Sequence, residues 1–572
     1  MPKLWRSVRR LLANPSLLAD EAAVRWDEFL LRRRFPFLAS SKGEGATGKT
    51  VLMVSLTDRP AYVKMEAMLL KTLQARGCTP VVLLFRSCKR AERYFRAFGI
   101  TNIIFFDDYR DATGGRNPDD VRAVSDLLDG SPSFHALHTY AMGDVDAGKH
   151  ALSAVLRKVR VGSLDLGSAG TRAFLREAYE ESLLSIRAAR ALLDASKPDH
   201  VLFFEKGYTP AGEIFDCAVE RGLDVIQYVN GQRLDTLVFK RFHKENKYVH
   251  PFSVSRKSWE TIRSQPWLPD HENAFMGILR ESYEHGKWYN RNFLQKGKVL
   301  KTPEQVRAQL GLDPTKKTVI IFSHVLWDAT FFYGTNLFPD YEQWLVATVQ
   351  AACQNPRVNW IVKLHPDYVW KMKDLGPSAK PHDVLAITAN VGNLPANIRV
   401  VAPDTDISTY SFFPVADACV TVRGTVGIEA PSFGVRVFTA GTGRYTGMGF
   451  TEDSSTPEEY LDKIRRIDDF SRLSADETRL GRLHAHALFL QRPWHMRSFT
   501  LTQKPDARPR QSLYQNVCIN VRSVDELLNA PDLRSFANWI LESKDEDYLA
   551  TEGGCDCLKY TACNTSALRE RE

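Results

Sequence analysis

Short apolar runs separated by amphipathic stretches fill the chain from residue 51 onward. Residues 51–56, 81–85 and 103–106 read as strands, with helices over 62–75 and 89–98 between them. Helices near 149–159 and 171–196 follow a less regular stretch. The alternation then resumes with strand 201–204, helix 211–221 and strand 225–229. Apolar runs without polar alternation belong to parallel strands covered on both faces. Residues 255–315 are polar, aromatic and largely helical. A second series then begins: strand 318–322, helix 340–353, strands 359–364 and 398–401, helix 408–415, strand 418–422, helix 425–433, strand 435–439, and helices near 456–468 and 474–491.

Two such series in 572 residues predict an α/β protein of two Rossmann-like domains facing across a cleft. The boundaries expected are 46–260 for the first domain, 261–315 for a helical connection and 316–500 for the second domain. Residues 501–572 are expected as C-terminal helices and a tail, flexible after about 545.

Residues 1–45 form a basic amphipathic helical segment and a Gly-rich linker. Leu4, Trp5, Val8, Leu11 and Leu12 recur at helical spacing among Arg6, Arg9 and Arg10, and a second run over 22–31 ends in Arg32, Arg33 and Arg34. Arginines beside Trp and Leu suit a helix lying in a membrane interface. They suit a helix packed on the protein body equally well. No apolar run is long enough to span a bilayer, and no signal-peptide core follows the first basic residues. The expectation is a cytoplasmic protein, peripheral at most on the cytosolic face of an inner membrane.

The net charge of +8 is too mild to mark a nucleic-acid binder. Cys78, Cys88, Cys217, Cys353 and Cys419 lie scattered in apolar segments, as reduced thiols do. Cys555, Cys557 and Cys563 cluster without a nearby histidine, so no metal site is expected there.

Several loops carry chemistry. Gly43, Gly48, Lys49 and Thr50 spell a P-loop pattern, but a strand follows where a P-loop needs a helix; a linker is the better reading. Lys363, His365 and Pro366 follow a strand directly, at the sheet end where α/β proteins bind ligands. His365 can donate to a phosphate oxygen and Lys363 adds charge. Arg423, Gly424 and Thr425 stand between a strand and a helix start, a place that binds anions, with Glu429 one turn on and able to bond ribose hydroxyls. Gly441, Gly443, Gly447 and Gly449 make a mobile loop around Arg444 that would lie beside Thr425. Ser323 and His324 follow the first strand of the second domain and face the cleft, and Ser408 opens a predicted helix. Glu205, at a strand end of the first domain, is the candidate general base, weighed against a Glu205–Lys206 surface pair. Asp404 and Asp406 imitate a metal-binding Asp-x-Asp but read as helix-capping carboxylates.

Together, residues 322–345 (FSHVLWDATFFYGTNLFPDYEQWL), 358–366 (VNWIVKLHP), 403–408 (PDTDIS) and 421–451 (TVRGTVGIEAPSFGVRVFTAGTGRYTGMGFT) resemble the C-terminal half of bacterial capsule and surface polysaccharide glycosyltransferases of GT-B type, the capsular Kdo-transferase-like and polysialyltransferase-like group. The resemblance covers roughly 315–465. It implies a GT-B fold and a nucleotide-sugar donor, CMP-activated in that group. His365 and Thr425 would contact the donor phosphate, and an acid of the first domain near a glycine, matched here by Glu205 before Gly207, would be the base. Arg423-Gly424 replaces the Ser-Ser or Ser-Thr pair of many members. The resemblance further implies a saccharide or glycolipid acceptor and membrane association through a segment such as 1–34.

Neither cofactor nor metal is expected. The leaving phosphate is expected to dock where two neighbouring strands give way to the His365 loop and the Thr425 helix start. Other readings are a polyol-phosphate (CDP-glycerol-type) transferase with His324 as an essential histidine, a nucleotide-sugar epimerase, and a non-catalytic scaffold of a polysaccharide assembly complex.

Overall fold

The computed structural model describes residues 15–40, 45–130, 132–284, 297–372, 380–504 and 511–550. The 4–12 run, Gly43 and the three tail cysteines lie outside them.

The first α/β unit is built on β1 (Thr50–Val54), β2 (Thr79–Leu84), β3 (Ile103–Phe105), β4 (His200–Phe203), β5 (Asp224–Asn230) and β6 (Thr236–Phe242). Their spatial order is β3-β2-β1-β4-β5-β6, parallel except for β6, which runs antiparallel to β5. Val51, Leu52 and Met53 are all fully buried, as a strand with helices on both faces requires. The sequence pattern does not predict β6, because Lys240 and Arg241 interrupt its apolar run. Both side chains are buried against carboxylates, Asp547 and Asp224 respectively.

The second unit is a sheet of β7 (Lys317–Phe322), β8 (Val358–Lys363), β9 (Ile398–Val401), β10 (Ala418–Thr421) and β11 (Arg436–Thr439), parallel throughout, in the order β11-β10-β7-β8-β9. Both sheets thus reverse direction beside their first strand, between β1 and β4 and between β7 and β10. Loops at such a reversal leave a crevice at the carboxyl ends of the strands. The two crevices face each other.

Two expected helices are shorter than the sequence suggests. Residues 408–415 form only the 3-10 turn Thr409–Phe412. The 425–433 helix is α-helical over Val426–Glu429 and 3-10 over Ala430–Phe433, because Pro431 lacks the N–H that would continue it.

The expected C-terminal division is corrected. After helix Ala475–His486 the chain crosses back to the first unit. β12 (Trp494–His495) pairs antiparallel with β6. The hairpin of β13 (Phe499–Gln503) and β14 (Gln515–Ile519) packs with helices Val524–Asn529 and Pro531–Leu541 against helix Pro60–Ala75. Trp494, Phe499, Phe536 and Leu69 share one core. The chain is not loose from 545: Asp547 is wholly buried against Arg492 and Lys240.

Helix Pro15–Arg34 packs on the first unit through Val24 and Leu31, and Glu21 pairs with Arg90 and Arg93. Its other face leaves Trp26 61% and Phe29 48% exposed, their rings stacked at 5.3 Å. Among the described residues no helix is long and apolar enough to cross a membrane.

The loop after β7 straps the units together. Val325, Trp327 and Phe331 enter the first unit's core, and Tyr208 donates to Asp328 at 2.9 Å. Gly207 sits under Phe332 with φ +95°, where a Cβ would overlap the ring at 2.0 Å.

Candidate functional site

A cleft of about 1370 Å³ lies between the facing crevices. Four strand ends supply much of its wall: Thr57–Arg59 after β1, Phe204 and Glu205 after β4, Ser323 and His324 after β7, and Arg423–Thr425 after β10. Lys363, at the end of β8, and His365 and Pro366 beyond it complete the second unit's side.

His365 and Thr425 therefore line one cavity, but their strands are not neighbours as expected. β7 lies between β8 and β10, which brings His324 to the middle of the site. The loops are tied together: the His365 amide donates to Ser323 Oγ at 3.1 Å, and the Ser323 amide to Lys363 O at 3.1 Å.

Backbone amides, which can only donate, settle the proton positions on both imidazoles. The Asp367 amide donates to His365 Nδ1 at 3.2 Å, so the ring proton of neutral His365 is on Nε2. The Val422 amide donates to His324 Nε2 at 3.2 Å, with the Thr421 hydroxyl 3.1 Å from the same nitrogen. His324 therefore carries its proton on Nδ1, which has no hydrogen-bond partner among the described residues. Burial, and then the charges of His365, Arg423 and Arg444, hold the His324 pKa well below the ordinary histidine value. It is a neutral donor, stacked on Tyr341 at 4.6 Å.

Arg423 is 4% exposed. One of its nitrogens bonds Asn336, while Nε and Nη1 are buried with no partner. Arg444 reaches His250 at 3.0 Å and leaves Nε unpartnered. Neither arginine has a carboxylate within ion-pair distance among the described residues. Two under-satisfied guanidiniums at a cleft wall are costly unless an anion completes them. The helix behind Thr425 is only one turn long and contributes little macrodipole. Charge at this wall therefore rests on Arg423, Arg444 and Lys363. The Lys363 amine is pushed down to about 7 by burial and by Lys298, against the pull of Glu429.

Glu429 lines the cleft, but Tyr283 from the helical connection donates to its carboxylate. Burial raises the carboxyl's pKa, opposed by the bonds from Tyr283 and Thr425 and by the charges of Arg444 and Lys363. Ser408 is buried beneath the wall and does not line the cleft, and Gly441 and Gly443 also stay out of it. The Gly443 amide donates to Thr446 and the Thr442 amide to Thr335, so the loop's amides turn inward.

On the opposite wall, Glu205 keeps half its side chain open and meets Arg157 at 3.4 Å. Packing at the cleft raises its carboxyl pKa, assisted by Asp328 and opposed by Arg157 and Arg59. Thr57, Asp58, Arg90, Ser512 and Tyr514 form the far end. Sequence reasoning missed these residues, as it did His250 and Tyr283; the only signal for Asp58 and Arg59 was their place after a strand.

The decoys resolve locally. Lys49 donates to the Leu541 carbonyl at 3.2 Å, and Asp406 is bonded by Lys301 and Gln309.

Fold and cleft together define an α/β protein of the GT-B type. Residues 276–477 match the family model described as "Capsule polysaccharide biosynthesis protein", so the resemblance drawn from the motifs holds over that stretch. No curated protein matches the chain. Similar solved structures include the KpsC β-Kdo 2,4 transferase of Thermosulfurimonas dismutans, 15% identical over 58% of this chain and 87% of that one, with a TM-score of 0.32. Others are the UDP-GlcNAc 2-epimerase of Neisseria meningitidis bound to UDP-GlcNAc (13% identity, 77% and 96% covered, TM-score 0.24) and Anabaena HepE in complex with UDP and glucose (12%, 78% and 95%, 0.27). With scores this low, the architecture rests on the strand order itself.

Proposed function

We propose that the protein is a glycosyltransferase of capsule or surface polysaccharide synthesis. In this reading a nucleotide-sugar, CMP-activated, binds the second unit, and a saccharide or glycolipid acceptor enters from the first. The observation that carries it is Arg423, nearly fully buried at the cleft wall with two donor nitrogens unpartnered.

The chemistry follows from the residues present. Glu205 takes the proton of an acceptor hydroxyl as its oxygen attacks the anomeric carbon. The bond from that carbon to the phosphate oxygen breaks, and its electron pair leaves with the nucleotide. The N–H groups of His365 and His324, with Arg423, stabilise the charge developing there; in many such reactions no other effect lowers the barrier as much. Attack from the face opposite the leaving group inverts the anomeric centre. Side chains carry this stabilisation without a metal.

His324 bears on the polyol-phosphate reading. A histidine base needs a free basic nitrogen, and here Nε2 is filled by an amide while Nδ1 holds the proton. That supports glycosyl transfer over a mechanism leaning on His324 as base. The exposed Trp26–Phe29 pair, on a helix that also carries exposed Arg25, Arg32 and Arg33, favours contact with an anionic membrane surface in this reading.

The test is a thermal-shift panel of CMP, CDP, UDP and GDP on the wild type and on His365→Ala. A donor site gives stabilisation by at least one nucleotide, and His365→Ala loses turnover while keeping its fold. A chain that binds none of the four is a scaffold, and near-native turnover in His365→Ala removes the site assignment.

A further inference from the structure

Two donors converge on one imidazole at the edge of the cleft. The Phe252 amide donates to His250 Nδ1 at 3.0 Å, and Arg444 Nη2 lies 3.0 Å from His250 Nε2. A backbone amide and a guanidinium can only donate, and a neutral imidazole has one accepting nitrogen, not two. A protonated imidazole would have none. One contact must therefore be donor against donor. The Phe252 amide is the fixed partner, since a turn holds it: the Ser253 amide donates back to the His250 carbonyl at 2.8 Å. The Arg444 guanidinium, on a long side chain in the opposite unit, is the partner that can leave.

Its other contact is weak: the guanidinium lies over the Phe252 ring, 5.9 Å from the centroid. Arg444 Nε is buried without a partner, and no carboxylate lies within ion-pair distance of the guanidinium among the described residues. Arg423 likewise has Nε and Nη1 buried without partners, and Gly443, the residue before Arg444, packs against it: a Cβ there would meet Arg423 Cβ at 3.0 Å. Burial and the surrounding cations Arg444, Lys206, Arg423 and Arg492 keep His250 from gaining a proton.

We propose that His250 keeps Arg444 available: it packs beside the guanidinium at the cleft edge without accepting from it, so that a phosphoryl group bound beside Arg423 takes Arg444 as a second clamp. This rests on the donor-site reading above and names how that site recognises its anion. The imidazole acts by what it fails to offer. A carboxylate in its place would pair with Arg444 and keep it.

The experiment measures binding of CMP and of inorganic phosphate by calorimetry, on the full-length wild type and on four variants. Arg444→Gln weakens both probes by about tenfold or more, the loss of a charge-assisted bond. His250→Glu weakens them as much, and His250→Glu/Arg444→Gln is no worse than either single change, because both act through one group. His250→Phe, which keeps the ring on Tyr333 but accepts nothing, stays within about threefold of wild type. Should His250→Glu fail to fold, His250→Gln supplies a neutral acceptor and gives an intermediate loss.

A structural role for His250 would disturb melting temperature in the Phe variant and add to the Arg444 defect. Additivity, or a fully active His250→Glu, overturns the proposal while leaving the donor reading intact. Phosphate binding with the expected pattern but no CMP binding sustains the clamp and removes the nucleotide reading. Failure of the wild type to bind either probe removes both.

Discussion

The Val422 amide donates to His324 Nε2 across 3.2 Å, and that contact decides which proton the imidazole can offer. With Nε2 filled, the one N–H of the neutral ring is Nδ1–H, on a residue that lines the cleft. Burial, then the charges of His365, Arg423 and Arg444, keep it from protonating at working pH. Long-range nitrogen-15 NMR of the ring should show the Nδ1–H tautomer unchanged between about pH 5 and 8, the range in which an ordinary histidine titrates. His324→Ala should lower kcat about a hundredfold, as loss of one oriented donor does elsewhere, and His324→Asn should recover part of it. A titration midpoint near 6.5 would contradict the assignment.

Lys363 makes the second prediction. It is 4% exposed, and burial first, then Lys298, bring its pKa to about 7. In the unfolded chain a lysine titrates near 10.4. Between these values the unfolded state holds a proton that the native state lacks, so stability rises with pH across that window. Below about 7 both states are charged and the penalty of the buried ammonium is fully present. Lys363→Met should therefore raise stability at pH 6 by about 1–4 kcal/mol, with the gain shrinking toward about pH 10 as the native amine and then the unfolded one lose their protons. Anion affinity should respond oppositely: it rises in the wild type from pH 8 to 6.5, and loses that dependence in Lys363→Met. Urea titrations and calorimetry at each pH check both halves.

What the sequence made legible was local. Apolar runs such as 318–322 and 359–364 placed β7 and β8 within a residue or so, and their exits delivered Ser323, His324, Lys363 and His365 to the cleft. Pairings across hundreds of residues were not legible. β6 was hidden because Lys240 reads as a surface residue unless Asp547, far along the chain, is known to meet it. The return of Trp494 to the first sheet has the same cause. Side-chain partnership was equally invisible: Glu429 looked available to a ribose, but Tyr283 from the connection already holds it. Glycines were misleading where loop mobility was inferred from composition, since the amides of Thr442 and Gly443 are bonded inward.

Glu205 carries the third prediction. A base works in its deprotonated form, so the rate should climb with pH through the raised pKa of Glu205 and then level off. Arg157, at 3.4 Å, is the nearest counter-charge. Arg157→Gln removes a group that lowers that pKa, and the acid limb should move to higher pH. Glu205→Gln should reduce kcat by about 10²–10⁴ while leaving CMP affinity unchanged. An equal loss of affinity would make Glu205 a binding residue and leave the proton without an acceptor.

Asp547 closes the fold far from the chemistry. Arg492 Nη1 lies 2.6 Å from its carboxylate and Lys240 Nζ 2.8 Å, all three side chains wholly buried. The Ser255 amide adds a bond at 2.6 Å. Burial alone would raise this carboxyl, but Arg492 and Lys240 hold it well below the usual range. Its contribution is therefore complete above the unfolded value of about 3.9 and is lost as pH falls through the lower native one. Asp547→Ala leaves buried Arg492 without its paired carboxylate and Lys240 with only Glu546, 3.4 Å away, and should cost about 3–5 kcal/mol in urea denaturation at pH 7. Asp547→Asn should cost nearly as much, since an amide restores a hydrogen bond but not the charge. In both variants part of the acid-limb loss of stability seen in the wild type should disappear. A change below about 0.5 kcal/mol would mean that the segment after helix Pro531–Leu541 is not held to β6 by this triad.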